Sequence, residues 1–405
     1  MGDKKNYAWP VTTMCKYDYL ALQKFAEKND NVLREKQIVI FGSGIRGTSF
    51  SIQFRRLGYD GFIFTDNNQS KVGGFINDFP IVSYEEIKKR RDQTVVIISV
   101  EGGFAIIEQL KNDGFVENKN FFYIESHLYE NYVQAFCDDT PCKTLIMGDC
   151  GLTDLSIADT DFENAGEKLQ RALGEGTTKV LAIHAMGMRA YYNIAQAHIN
   201  HVQKPDTILL MTNLETFTGK QNLLPRSQHA PLMRQLAEAL GSKDEGMNQY
   251  AVLTQERFSN YTMDYFTSSD EAMGSMSMDK NNKIVIKLNY MYRMDPENEC
   301  VVYLKKFMAM CAENDIRLLL FIPPANYQYA TSLWGDRFTA SYEENTAFLK
   351  KVALEGNVPL LDLSYLLPSA QFADVSTIDE TVNQEGREKV VAAIVAKYKE
   401  LGFDD

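Results

Sequence analysis

The stretch Thr144-Leu145-Ile146-Met147-Gly148-Asp149-Cys150-Gly151 decides how the second half of this chain is read. An apolar run of this length suits a strand buried on both faces of a parallel sheet. Its abrupt ending in Gly-Asp-Cys-Gly suits a sharp strand-to-helix turn that lifts one side chain, Cys150, above the sheet edge. Four more apolar runs follow, at 179–184, 207–213, 317–322 and 358–363. Helical patterns at about 189–203, 228–241, 296–314, 342–354 and 384–401 alternate with them. This rhythm predicts a parallel sheet covered by helices on both sides. Ligands of such sheets bind beyond the C-terminal strand ends. The residues placed there are Asp149 and Cys150, His184 and Gly187, Thr212 and Asn213, and the run Pro323-Pro324-Ala325-Asn326; Asp374, Asp379 and Asn383 precede the last helix.

Upstream, the run Gln37-Ile38-Val39-Ile40-Phe41 enters Gly42-Ser43-Gly44-Ile45-Arg46-Gly47 and a helix to about Leu57. This is G-x-G-x-x-G in its proper setting, after a strand and opening a helix. Gly42, Gly44 and Gly47 allow a tight turn and the approach of a phosphate to the helix N-terminus. Asp66 ends the next strand, where a carboxylate would accept from a ribose hydroxyl. Further strands at 94–99 and 120–124, and helices at 17–35 and 104–112, complete a small α/β unit. A glycine loop that only makes a tight turn is the simpler alternative. The domain reading is therefore residues 1–130, a connection at 131–142 containing Pro141, and residues 143–405. The polar region 255–291, with Met273, Met276 and Met278 and the aromatics Tyr261, Tyr265 and Phe266, interrupts the rhythm as an insertion.

Composition narrows the partners. The chain has 405 residues, enough for two cores. A net charge of -12 argues against a nucleic-acid or anionic-membrane partner. The N-terminus lacks the apolar core of a leader, and no apolar run reaches about 18 residues. A cytoplasmic protein with no membrane span is the expectation. The six cysteines show no metal-ligand spacing, so no metal is expected, and reduced thiols suit their sparse distribution.

Two resemblances sharpen this reading. The phrase Phe64-Thr65-Asp66-Asn67-Asn68, followed by Pro80-Ile81-Val82-Ser83, resembles the small Rossmann-like modules attached to bacterial glycan-assembly proteins. That likeness implies a nucleotide, a nucleotide-sugar or NAD as ligand. Residues 143–402 resemble the SGNH (GDSL-like) hydrolase superfamily. The segments 321–335 (FIPPANYQYATSLWG) and 358–368 (VPLLDLSYLLP) look like the branch of teichoic-acid D-alanyl transfer and alginate O-acetylation. The likeness implies a flavodoxin-like, SGNH-type parallel sheet after a Rossmann-like one, so two three-layer α/β domains.

In that superfamily the first strand ends in Gly-Asp-Ser, whose serine is the nucleophile; here Cys150 stands in its place behind Asp149. Gly187 and Asn213 match the oxyanion-binding positions. Asp379 matches the acidic residue of Asp-x-x-His, but Val382 occupies the histidine position. All five histidines lie at or before His229, so His184 is the candidate replacement base, with His229 a more distant one. A thiol depends on a base less than a hydroxyl does, and a helix N-terminus would help ionise it.

Three functions remain open. The first is a carbohydrate esterase or O-acyltransferase acting through Cys150 in bacterial glycan or surface-polysaccharide metabolism. The second is a non-catalytic descendant that binds an acyl-glycan or a partner protein, with Cys150 a small buried residue. The third is a nucleotide-sugar or NAD-dependent enzyme centred on the glycine loop.

Overall fold

The computed structural model describes residues 5–8, 11–100, 102–218, 228–251, 278–378 and 381–404. They form two compact units, residues 1–128 and 129–405. Both are α/β.

In the first unit the strands are β1 (Gln37–Phe41), β2 (Ile63–Thr65), β3 (Phe75–Ile76), β4 (Phe79–Val82), β5 (Thr94–Ile98) and β6 (Phe121–Tyr123). Their order across the sheet is β3-β4-β2-β1-β5-β6. All neighbours are parallel except β3 and β4. The one antiparallel pair lies at the sheet edge, where Asn77-Asp78 makes a two-residue hairpin turn. Asn77 takes a left-handed φ of 52°, which asparagine tolerates. The helices are α1 (Lys16–Lys28), α2 (Asp30–Glu35), α3 (Ile45–Arg56), α4 (Tyr84–Lys89) and α5 (Phe104–Asn112). Period-two alternation sorts the sheet's side chains. Ile38, Ile40, Val95 and Ile97 pack with Leu22, Leu33, Phe50 and Phe54 of α1–α3. Val39, Phe41, Val96 and Ile98 pack with Ile87, Ile106 and Leu110 of α4 and α5 on the other face. The unit is a three-layer sandwich.

The second unit has β7 (Thr144–Gly148), β8 (Thr178–Ala182), β9 (Thr207–Met211), β10 (Arg317–Ile322) and β11 (Leu360–Asp362). The order is β8-β7-β9-β10-β11, parallel throughout. Counted within the unit this is 2-1-3-4-5, the flavodoxin-like doubly wound order, whose switch point lies beside its first strand, between β7 and β9. Its helices are α6 (Leu128–Cys137), α7 (Cys150–Thr153), α8 (Ala165–Gly174), α9 (Met188–His201), α10 (Ala230–Ala239), α11 (Glu245–Asn248), α12 (Met278–Tyr290), α13 (Glu299–Glu313), α14 (Tyr327–Trp334), α15 (Asp336–Glu355) and α16 (Gln384–Glu400). Ile146, Leu209, Met211, Leu319 and Phe321 share a core with Leu169 of α8 and Val390, Val391, Ile394 and Tyr398 of α16. Leu145, Met147, Ile208, Leu210, Leu318 and Leu320, which alternate with them, are buried too, so both faces are covered.

Two expectations about connections change. The segment 131–142 is not merely a linker, since most of it is α6. Tyr132 and Phe136, spaced one helical turn apart, are both buried and give that helix its apolar stripe. Of the supposed insertion 255–291, the described part is α12; Met273, Met276, Tyr261, Tyr265 and Phe266 lie outside the described residues.

The last helix is tied to the loop after α7 by a buried ion pair. Arg387 Nη1 donates to Asp159 Oδ2 at 2.7 Å, and Nη2 donates to the Asp161 carbonyl at 3.0 Å. Asp159 also accepts the backbone N–H of Gln384 at 2.8 Å and of Ser156 at 3.0 Å. A buried charge persists only when paired and hydrogen-bonded in this way.

His198, on α9, is wholly buried, its ring edge-on to Phe136 at 5.3 Å between centroids. Neither ring nitrogen has a hydrogen-bond partner among the described residues. Burial, reinforced by the Lys179 charge, lowers its pKa from 6.5 to about 4. The unfolded chain therefore takes up a proton near neutrality that the folded one refuses until about pH 4. Stability from this residue is complete above the unfolded value and falls as the pH drops through the interval. Chemical denaturation is expected to show a loss of about 2 kcal/mol between about pH 7 and about pH 5 attributable to His198. His198→Phe should be less acid-sensitive than the parent chain by that amount.

Candidate functional site

The second unit builds its candidate site at the switch point. Register pairs Ala182 with Gly148 and Leu210 with Met147. Continued by a few residues, it brings His184, Cys150 and Asn213 to one level at the ends of three adjacent strands. The turn itself is shaped by its glycines. A Cβ at Gly148 would lie 2.5 Å from Leu152 and 3.1 Å from the Met211 Cβ, and one at Gly151 would lie 2.7 Å from the Met211 methyl. The side chains of Leu152 and Met211 pack into the space these two glycines leave. Asp149 is buried and caps the one-turn α7, its Oδ1 accepting the Gly151 N–H at 3.0 Å. Its Oδ2 accepts from Asn213 Nδ2 at 3.0 Å. Asn213 Oδ1 accepts the Glu215 N–H at 2.8 Å. The amide expected to face an oxyanion thus also braces Asp149 across the turn.

Cys150 is half-buried and begins α7. That helix has only four residues, so its dipole helps the thiol less than a long helix would. Beneath the turn lies Tyr191 of α9. Burial first, then the Asp149 charge, push its hydroxyl well above the ordinary range, and the proximity of Cys150 adds to this. Gly187 caps α9 with an ordinary extended backbone.

His184, half-buried, follows β8. Its carbonyl accepts from the buried His229 Nε2 at 3.0 Å. His229 in turn meets the Tyr129 hydroxyl through Nδ1 at 3.3 Å. Residue spacing carries no signal for this grouping, because 129, 184 and 229 belong to three separate elements. Asn326, expected at a strand end, has a structural role. Fully buried after β10, it donates to the Thr377 carbonyl at 2.9 Å and accepts from Ser369 Oγ at 2.5 Å. It clamps the loop that leads towards Asp379, which lies outside the described residues. Asp374 in that loop accepts from Ser376 backbone and hydroxyl, a local turn.

The Val382 position is settled by packing. Val382 bridges Phe372 and sits in the core with Ile146, Leu209 and Val390. Asn383 beside it caps α16, accepting the Gly386 N–H at 3.1 Å. A Cβ on Gly386 would lie 2.4 Å from the Gln371 carbonyl oxygen. The Asn-x-x-Gly frame is accounted for as a helix start packed tightly on its neighbour.

In the first unit the three glycines divide their work. Gly42 has φ 114° and sits against Val100 and Ser99. Gly47 would place a Cβ 2.0 Å from the Gly42 carbonyl oxygen, and Gly44 faces open space. Only Gly44, which begins α3 without a side-chain cap, leaves room for a ligand. Asp66 turns its carboxylate onto the loop. Its Oδ2 accepts from Ser43 N–H at 2.9 Å, from the Ser43 hydroxyl and from Lys71 Nζ at 3.3 Å, and its Oδ1 accepts the Asn68 N–H at 2.9 Å. Burial alone would raise the Asp66 carboxyl; the Ser43 and Asn68 bonds and the Lys71 charge outweigh it and hold the group below its ordinary value. Asp66 therefore shapes the glycine loop. Among the described residues no group of three or more His, Cys, Asp or Glu could hold a metal ion, and no helix is long and apolar enough to cross a membrane.

The glycines make a discriminating pair for substitution. Gly47→Ala is expected to destabilise the first unit by about 3 kcal/mol or more, because backbone, not a flexible side chain, stands in the way. Gly44→Ala is expected to cost less than about 1 kcal/mol, its backbone being extended and its surroundings open. Thermal unfolding of the two variants checks the contrast.

Compared with known proteins, the chain matches no family model and no characterised sequence.

Proposed function

We propose that this protein handles acyl groups on carbohydrate in bacterial glycan metabolism, as an esterase or O-acyltransferase with Cys150 as the nucleophile. What supports the reading is the register of β8, β7 and β9, whose neighbouring C-terminal ends lead to His184, Cys150 and Asn213 in a 2-1-3-4-5 sheet, with Asp149 braced by Asn213. In this reading His184 takes the thiol proton as sulfur attacks the ester carbonyl. The departing sugar hydroxyl recovers that proton. Water or a second sugar hydroxyl then releases the acyl group from sulfur. The N–H groups about Gly187 and the Asn213 amide are the candidate donors to the oxyanion. The SGNH-like pattern of the sequence supports the same chemistry.

A second reading, a glycan-binding protein without turnover, is favoured by one observation: Val382 fills the usual base position as a core residue. Steady-state cleavage of a chromogenic acetyl ester separates the two. Turnover that Cys150→Ala lowers by at least about a hundredfold supports the enzyme. Equal residual rates in parent and variant refute it and leave the binding reading.

For the first unit, the open space at Gly44 supports a nucleotide, nucleotide-sugar or NAD as ligand. Thermal shifts with NAD, NADP and UDP-sugars test this. A ligand at a hundred times its dissociation constant should stabilise by about 2.7 kcal/mol. No shift with any of them would reduce the loop to a structural turn.

A further inference from the structure

The end of β8 is held by a ring from far along the chain. His229 is 1% exposed, and its Nε2 lies 3.0 Å from the His184 carbonyl oxygen. A carbonyl can only accept, so Nε2 carries the hydrogen. In the neutral ring the lone pair then sits on Nδ1, 3.3 Å from the Tyr129 hydroxyl, which donates to it. The His229 ring also stands edge-on to both neighbours, with centroids 6.0 Å from Tyr129 and 5.9 Å from His184.

The backbone repeats the message. Ala185, next to His184, has φ 55°, and His229 has φ 53°. Residues with a Cβ take this left-handed conformation at a cost, and it persists where surrounding contacts hold it. The bond from His229 to the His184 carbonyl joins the two kinked segments, and the two rings stand edge-on beside it.

We infer that His229, fixed by Tyr129, is the positioning residue that holds His184 at the end of β8 towards Cys150. The inference rests on the reading of Cys150 and His184 proposed above. It deepens that reading by assigning His229 a role through the His184 backbone and ring, not at the reacting atoms. Among the described residues, the groups near the Cys150 thiol include Asp149 on its own turn, His184 by register from β8 and Tyr191 from α9, with the uncharged Asn213 after β9. Those that bear on His229 include Tyr129 and His184.

The test is alkylation of Cys150 by iodoacetamide in the full chain, followed by peptide mass spectrometry across pH. The parent chain is expected to react with a midpoint below the ordinary thiol value of about 8.5. His184→Gln should slow the reaction about tenfold near neutral pH, the equivalent of about one unit in that midpoint. His229→Phe keeps a ring but loses both nitrogens, and should slow it at least about threefold in the same direction. His229→Gln can still donate to the carbonyl and accept from Tyr129, and should restore the parent profile. A merely structural role would lower Tm and leave the midpoint in place.

A parent-like profile for His229→Phe, beside a shifted one for His184→Gln, overturns the inference while the proposed chemistry stands. A parent-like profile for His184→Gln overturns the proposed chemistry and the positioning role with it. Should His229→Phe fail to fold, Tyr129→Phe decides. A shift towards slower reaction supports the role and a parent-like profile overturns it.

Discussion

The second unit turns on one buried carboxylate. Asp149 reaches back to the Gly151 N–H and across to the Asn213 amide, so a single side chain closes the turn after β7 and fastens it to the end of β9. A carboxylate out of water needs such donors, and each donor it recruits becomes a geometric constraint. Cys150, the next residue, inherits its place from that closure. The same logic recurs at the other end of the chain, where Asp159 gathers Arg387, Gln384 and Ser156 and so anchors α16. Both units use a carboxylate this way, since Asp66 organises the glycine loop through Ser43 and Lys71.

These contacts explain why the conspicuous motifs divide into parts with different physical duties. In the glycine loop, Gly47 is required by contact with a carbonyl, Gly42 by its backbone angle, and Gly44 by neither. In the Asn-x-x-Gly frame, Asn383 caps and Gly386 packs, while Val382 belongs to the core. The valine is thus accounted for by packing alone. A histidine there would have to displace apolar neighbours and bury a polar ring among them.

Much of the architecture was legible in the chain itself. The near-continuous apolar runs of β7–β10 suited buried parallel strands, and their alternation with amphipathic stretches pointed to helices on both faces. The elements missed were those whose reason is tertiary. α6 reads as a polar connection until Tyr132 and Phe136 are seen to share a buried stripe. The hairpin at Asn77 hides in a stretch too short for any period to show, and α12 is masked by the polar composition around it.

For the candidate site the division is similar. Sequence alone determined which residues stand at the strand ends, because strand length and the glycine turns fix where each apolar run must stop. It thereby named Cys150, His184, Gly187 and Asn213 together. Only the tertiary structure decided that Asn213 braces Asp149, that Asp66 is bound to its own loop, and that His229 and Tyr129 close upon His184. Those pairings join residues up to about a hundred positions apart, and hydrogen-bond partners at such separation are chosen by the packing of helices on the sheet, which leaves no periodic trace in the chain.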